Sequence, residues 1–160
     1  MYLTTATPFT SDTLFLYEIN RTIGALTRVP GSALAPGFDP ATANLRPDRV
    51  TFHSSGRFAY VADRPARTGA FSRGFWAFLA QASGALGPAV GPFTTPATAP
   101  FLVGDPSALA LDPAGRFAYV TDATASAVSA FSIDQATGAL TAIGPPVPTI
   151  QAPTSLVVIP

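Results

Sequence analysis

Cysteine is absent from this 160-residue chain, and so is lysine. The first absence removes disulfides, thiolate zinc sites and thiol nucleophiles together, while leaving the redox compartment open. The second leaves nine arginines as the only cations besides the termini and one histidine, set against nine acidic groups for a formal net charge of zero. No basic face can therefore neutralise a phosphate backbone, and nucleic acid is not an expected partner. Charge of either sign is scarce, at 11% of residues. No apolar run reaches the roughly 18 residues of a membrane-spanning helix, so no membrane partner is expected. The opening MYLTTATPFTSD lacks the basic start and apolar stretch of a signal peptide. As written, the chain is expected to stay in the cytoplasm, with an extracellular or periplasmic destination if it is part of something longer. There is no GxSxG elbow, no phosphate loop and no set of metal ligands at usable spacing, so no cofactor is expected.

Room for long helices is lacking too. Seventeen prolines and thirteen glycines are spread along the whole length, too closely for helices of about ten residues to fit between them. The segments between these breakers are short, aromatic and β-branched: LFLYEI at 14–19, RVTF at 49–52, RFAYVA at 57–62, FWAFLA at 75–80, ALAL at 108–111, RFAYVT at 116–121, AVSAFSI at 127–133 and SLVVI at 155–159. They read as strands, and the fold class as all-β. Several are apolar on both alternating faces, the pattern of strands sandwiched between other layers.

The chain repeats itself. GRFAYVAD at 56–63 returns as GRFAYVTD at 115–122, and MYLTT at the start places Tyr2 near the same spacing ahead of Tyr60. A second landmark follows each copy: IGAL at 23–26, SGAL at 83–86, TGAL at 137–140. A third precedes each strand pair: RPDRVTF from Arg46, DPSALAL from Asp105 and APTSLVV from Ala152. Each unit thus holds a Pro-led strand, a turn, the GRFAYV strand, an aromatic strand and a last strand after the xGAL turn. Four strands per repeat are the mark of a β-propeller blade, a four-stranded antiparallel sheet. The copies divide as 1–45 (without its first strand), 46–104 and 105–151, with 152–160 as a closing first strand. Loops at 30–46 and 88–104 lengthen the first two.

Turn chemistry agrees. DPAG at 112–115 has Asp, Pro and Gly at the first, second and fourth positions of a type I turn, and HSSG at 53–56 takes the same place one copy earlier. Asn20 and Asp134 each end a strand, with a glycine four residues on.

The stretch PSALALDPAGRFAYVTDATASAVSAFSIDQATGALTAI at 106–143 resembles the repeat unit of the lactonase-like seven-bladed β-propellers, which include 6-phosphogluconolactonase-type and muconate-lactonising propellers and YVTN repeat proteins. The second copy is similar from Pro47 to Leu86, and the first in part. The resemblance implies a fold, a blade shared by enzymes and non-enzymes. It also implies where a pocket would lie. Catalytic members carry roughly Pro-Arg-His ahead of the inner strand and Asn-Glu after the YV strand. In this chain Arg49 stands in place of that His, Asp63 in place of the Asn and Arg64 in place of the Glu, while the third copy offers Ala108, Asp122 and Ala123. Neither copy retains the His and Glu pair. Arg49 and Arg64 suit a carboxylate or phosphate of a sugar acid or lactone ligand, because a fork of N–H donors matches such oxygens. Asp63 and Asp122 recur at one blade position and complete the candidate ligand-binding set, although a strand-ending Asp that caps its own loop is the commoner arrangement.

His53 fills the first position of a turn, where its counterpart is Asp112, and a structural role is the expectation. Trp76 could stack on a sugar, but interblade core is its expected use.

The leading expectation is a non-catalytic propeller module, structural or ligand-binding. The alternative is a sugar-lactone hydrolase of the 6-phosphogluconolactonase type, or a fragment of one, whose His and Glu lie in blades outside this chain. A third is a lectin-like ring using Trp76. Three blades fall short of the usual four to eight, which leaves either a portion of a longer propeller or a homodimer closing a six-bladed ring.

Overall fold

The structure, a computed structural model, describes residues 2–5, 13–29, 47–63, 74–80, 86–93 and 106–159. No helix occurs among them. In chain order the strands are β1 (Tyr2–Thr5), β2 (Thr13–Ile19), β3 (Leu26–Arg28), β4 (Pro47–Phe52), β5 (Phe58–Asp63), β6 (Gly74–Ala80), β7 (Leu86–Phe93), β8 (Pro106–Leu111), β9 (Phe117–Asp122), β10 (Ala127–Ile133), β11 (Leu140–Ala142) and β12 (Val147–Pro148).

They form three antiparallel sheets, one per sequence copy: β1-β2-β3, β4-β5-β6-β7, and β8-β9-β10-β11 with β12 pairing onto β10 beside β11. The fold is all-β and propeller-like, as the repeats indicate. The register makes the copies equivalent residue by residue. Tyr2 pairs with Leu16, Tyr60 with Ala77 and Tyr119 with Ala130, and each partner is the fourth residue of its seven-residue strand. In the two sheets that have a first strand, Pro47 and Pro106 pair with Asp63 and Asp122, and a bulge follows each proline. A proline donates no ladder hydrogen bond, which suits it to the edge of a sheet at a bulge.

Turn geometry follows the turn residues. In both hairpins between first and second strands the fourth turn residue donates to the first, Gly56 to His53 at 2.8 Å and Gly115 to Asp112 at 2.9 Å, and both glycines sit at φ +69°. That left-handed conformation costs a residue with a Cβ about 1–2 kcal/mol. The Asn20 and Asp134 turns are also one design. Asn20 Oδ1 accepts from the amides of Thr22 and Ile23, Asp134 Oδ1 accepts from those of Ala136 and Thr137, and Gly24 and Gly138 close the turns at φ +72° and +76°.

The core lies between the second and third sheets. Phe58, Tyr60 and Ala77 pack with Leu109, Ala118, Val120, Phe131 and Ile133, flanked by Leu111 and Leu140. Every residue from Phe58 to Val61 is buried, whereas β10 alternates buried and half-buried. The middle sheet is thus covered on both faces. The third has one covered face and one half-open face carrying Tyr119, Val128 and Ala130. The two-faced apolar pattern is met in full only where a neighbour stands on each side.

Two expectations are corrected, and one strand is added. Residues 88–93 belong to β7 and not to a loop, with Pro92 opposite Trp76 at the outer edge, where a missing donor is tolerated. The strand β12 was not foreseen. SLVVI at 155–159 forms no strand, and no strand among the described residues pairs with it. The 30–46 loop lies outside the described residues.

Candidate functional site

First strands converge in this fold. β4 and β8 lie against each other, and residues 153–154 reach both of them. Ser107 Oγ donates to the carbonyl oxygen of Pro153 and stands 2.9 Å from Thr121 Oγ1. Arg49, exposed on β4, directs Nη2 at the carbonyl oxygen of Thr154, at 3.5 Å. Thr51 ties the same two strands by donating from Oγ1 to the Leu109 carbonyl at 3.3 Å. The arrangement leaves one exposed cation, Arg49, where β4, β8 and residues 153–154 meet, while the Ser107 and buried Thr121 hydroxyls are taken up by each other and by carbonyls.

Of the candidate residues, Arg49 alone stands at this convergence with its side chain described. Its backbone pairs with Ala62, the residue before Asp63. Asp63 ends β5 opposite Pro47 and Gly74, and Asp122 ends β9 opposite Pro106 and Ala127, so the two are structural equivalents. Asp122 is fully buried, and its Oδ1 accepts from the amide of Ala125 at 2.8 Å, capping the turn between β9 and β10. Arg64 lies outside the described residues. Trp76 pairs with Val61 and Pro92 through its backbone.

His53 is structural. It is buried, and Nε2 lies 2.7 Å from the Gly115 carbonyl, which can only accept, so Nε2 carries the proton. Nδ1 is then the acceptor, receiving the Ser55 hydroxyl at 2.7 Å and the Ser55 amide at 3.1 Å. The ring also stands edge-on to Phe58 at 5.6 Å. Its work is to seat the second hairpin on the third.

Sequence reasoning missed Ser107, Thr121 and the carbonyls of residues 153 and 154. The carbonyls have no sequence signal, and Ser107 has only its place after the strand-leading proline. No group of three or more His, Cys, Asp or Glu among the described residues could hold a metal ion, and no helix among them is long and apolar enough to cross a membrane.

The family model described as lactonase, 7-bladed β-propeller, matches residues 6–144. No curated protein matches the chain. Among solved structures, the chain is similar to a candidate 6-phosphogluconolactonase from Bacteroides uniformis ATCC 8492, at 20% identity and a TM-score of 0.72, over 99% of this chain and 41% of that one. It is similar to another from Bacteroides fragilis NCTC 9343, at 22% identity and a TM-score of 0.63, over 91% and 35%. It is also similar to the periplasmic gluconolactonase PpgL of Pseudomonas aeruginosa, at 23% identity and a TM-score of 0.61, over 90% and 35%. The chain therefore spans between a third and about two-fifths of the length of these relatives, and at such identities the likeness is one of fold.

Proposed function

Because the chain belongs to the lactonase family of seven-bladed β-propellers, we propose that it is a non-catalytic propeller module that binds a small sugar acid or lactone where its first strands meet. The observation that carries this reading is Arg49, an exposed guanidinium on β4 directed at the Thr154 carbonyl, at the position where the catalytic pattern has histidine. A guanidinium presents paired donors to a carboxylate or phosphate and has no lone pair with which to take a proton at neutral pH. Lactone hydrolysis needs a base to activate water, and neither Arg49 nor the Ser107 and Thr121 hydroxyls is one. Asp122 is buried and turned to its own loop. Asp63 and Arg64 stay candidate ligand contacts on their place in the sequence repeat alone.

Titration calorimetry with gluconate and 6-phosphogluconate tests the proposal. A charge-assisted hydrogen bond contributes about 1.5–3 kcal/mol, so Arg49→Ala should weaken binding about 10- to 100-fold. Lactone turnover that Arg49→Ala abolishes would overturn the non-catalytic reading. The alternative, a sugar-lactone hydrolase whose acid and base lie in further blades, is motivated by the chain spanning only 35–41% of those three relatives' length. It requires a longer reading frame carrying the His and Glu motif.

A further inference from the structure

A serine and a histidine meet at the far end of β4 from the candidate ligand site. His53 and Ser55 stand in the hairpin turn that follows the strand, and His53 is four residues beyond Arg49, or ~13 Å along an extended chain. Ser55 is exposed, whereas His53 is buried. The Ser55 hydroxyl donates to Nδ1 at 2.7 Å, the reach that a general base needs of a nucleophile's proton. The tautomer is fixed from both sides: Nε2 donates to the Gly115 carbonyl at 2.7 Å, and the Ser55 amide donates to Nδ1 at 3.1 Å. Gln135 Nε2 donates to the same carbonyl at 2.9 Å. Residue 115 has to be glycine for that carbonyl to approach, since a Cβ there would land on Nε2 and Cε1 of the ring. The Arg57 amide donates to Ser55 Oγ at 3.2 Å, a dipole that stabilises negative charge building on that oxygen. The turn itself does not require this pairing. In the matching turn of the third sheet, Asp112 stands for His53 and Ala114 for Ser55, and Asp112 Oδ1 accepts the Phe117 amide directly at 2.6 Å.

We propose that Ser55 is an acyl-accepting nucleophile, with His53 as its general base and the Gly115 carbonyl positioning that base. Solvent surrounds the exposed Ser55, so no enclosed set of donors stabilises a tetrahedral oxyanion, and the leaving group must depart readily. The substrates are therefore small esters with a weakly basic leaving group, such as aryl acetates. Ser55 Oγ attacks the ester carbonyl carbon and passes its proton to Nδ1. The bond from that carbon to the aryl oxygen breaks, and Nδ1 returns the proton to the departing phenolate. Water then attacks the acyl group on Ser55, its proton passing through Nδ1 to Oγ, so that one ester and one water yield one acid and one phenol. Charged groups of the surrounding turns are engaged elsewhere. Arg57 donates to the carbonyls of Gln135 and Ala136, Arg116 stands 3.9 Å from Asp112, and Asp134 accepts from the amides of Ala136 and Thr137. The ring thus meets neutral partners, and Nδ1 is the atom through which it exchanges a proton with Ser55. This site stands apart from the ligand reading at Arg49, and the failure of either leaves the other intact.

Absence of lysine and cysteine makes the test specific, because the usual competing nucleophiles for an aryl ester are missing. The full chain is mixed with p-nitrophenyl acetate, phenolate release is followed by absorbance, and the acetyl group is located by peptide mass spectrometry. Acetyl on Ser55 is the expected result. Ser55→Ala should abolish it, while Ser54→Ala, at the adjacent exposed serine, should leave the rate unchanged. His53→Asn keeps an acceptor for the Ser55 amide and removes the base. It should slow acetylation of Ser55 by about 100-fold or more, the lower end of what general-base catalysis contributes. Should that variant fail to fold, the unmodified chain supplies a second reading. Its acetylation rate should rise with pH along one ionisation, that of the only histidine, and level off once the imidazole is neutral. Acetyl confined to the chain's α-amino group, Ser55 acetylated at an unchanged rate in folded His53→Asn, or a rate that follows hydroxide throughout each overturns the proposal.

Discussion

Gly56 and Gly115 share one φ, +69°, and one turn, yet their surroundings differ. A Cβ on Gly56 would meet open space, whereas on Gly115 it would land on the His53 ring and the Ser54 hydroxyl. Gly56→Ala should therefore cost only the left-handed backbone term, about 1–2 kcal/mol, and Gly115→Ala should cost at least about 1 kcal/mol more through overpacking. Thermal melts check this, at about 2–4 °C per kcal/mol for a chain of this size. Tyr60 allows a second test. It is buried with its hydroxyl donating to the Gly138 carbonyl at 2.9 Å, and burial pushes its ionisation up to about 12. Between the ordinary value of 10.0 and about 12, the unfolded chain has released a proton that the folded chain keeps, so stability falls as pH rises through that window. Tyr60→Phe should flatten this alkaline loss while costing about 1–3 kcal/mol at neutral pH for the orphaned carbonyl. Asp134 behaves in the opposite sense. Hydrogen bonds from Thr137, then Ala136, hold its carboxyl below the usual 3.8. Its contribution is present above that value and is lost as pH falls through the lower folded one. Asp134→Asn keeps the acceptor, as Asn20 does in the matching turn, and should remove that part of the acid dependence in urea melts below pH 4.

At the scale of the element, the strands could be read because turn residues and strand residues agree. Asp112, Asn20 and Asp134 cap as their types predict, and the GRFAYV landmark fixes the ladder register from Tyr2 to Tyr119. Other features were not legible. A strand such as β12 holds two ladder pairs, too few to leave a hydrophobic pattern. SLVVI has a strand's pattern without a strand's partner, and pairing is a property of two segments that one segment cannot record. The candidate site divides the same way: Arg49 is proposed from its position in the repeat, whereas carbonyls contributed by residues 153 and 154 leave no sequence signal to propose them from. Burial along the elements predicts where the fold opens first. Amides of β5, whose residues Phe58–Val61 are all buried, should exchange with deuterium most slowly, and those of β3, exposed throughout, among the fastest. Mass-spectrometric exchange resolves the two peptides, and equal protection would contradict this packing order.

Across the whole molecule, the second sheet grips the third through a few long side chains aimed at the turns of its neighbour. His53 reaches the Gly115 carbonyl, Tyr60 the Gly138 carbonyl, and Arg57 the carbonyls of Gln135 and Ala136 at 3.3 and 3.4 Å. The Phe58 ring sits where a Cβ on Gly138 would be. Contacts from side chain to backbone specify where a turn must be and leave its sequence largely open, which is one reason repeats of this kind can diverge and still stack.

The constant pairing of each tyrosine with the fourth residue of the next strand has a further consequence. The segments joining those strands differ in length, with residues 6–12, 64–73 and 123–126 between the paired strands of the three sheets, and the ladder keeps its phase through all of them. The crossing between second and third strands is therefore a place where the chain accepts length without retuning its scaffold. A peptide epitope or a small folded domain grafted between residues 123 and 126 would inherit a rigid two-stranded mount, and selection has the same latitude when it builds new loops on an old blade.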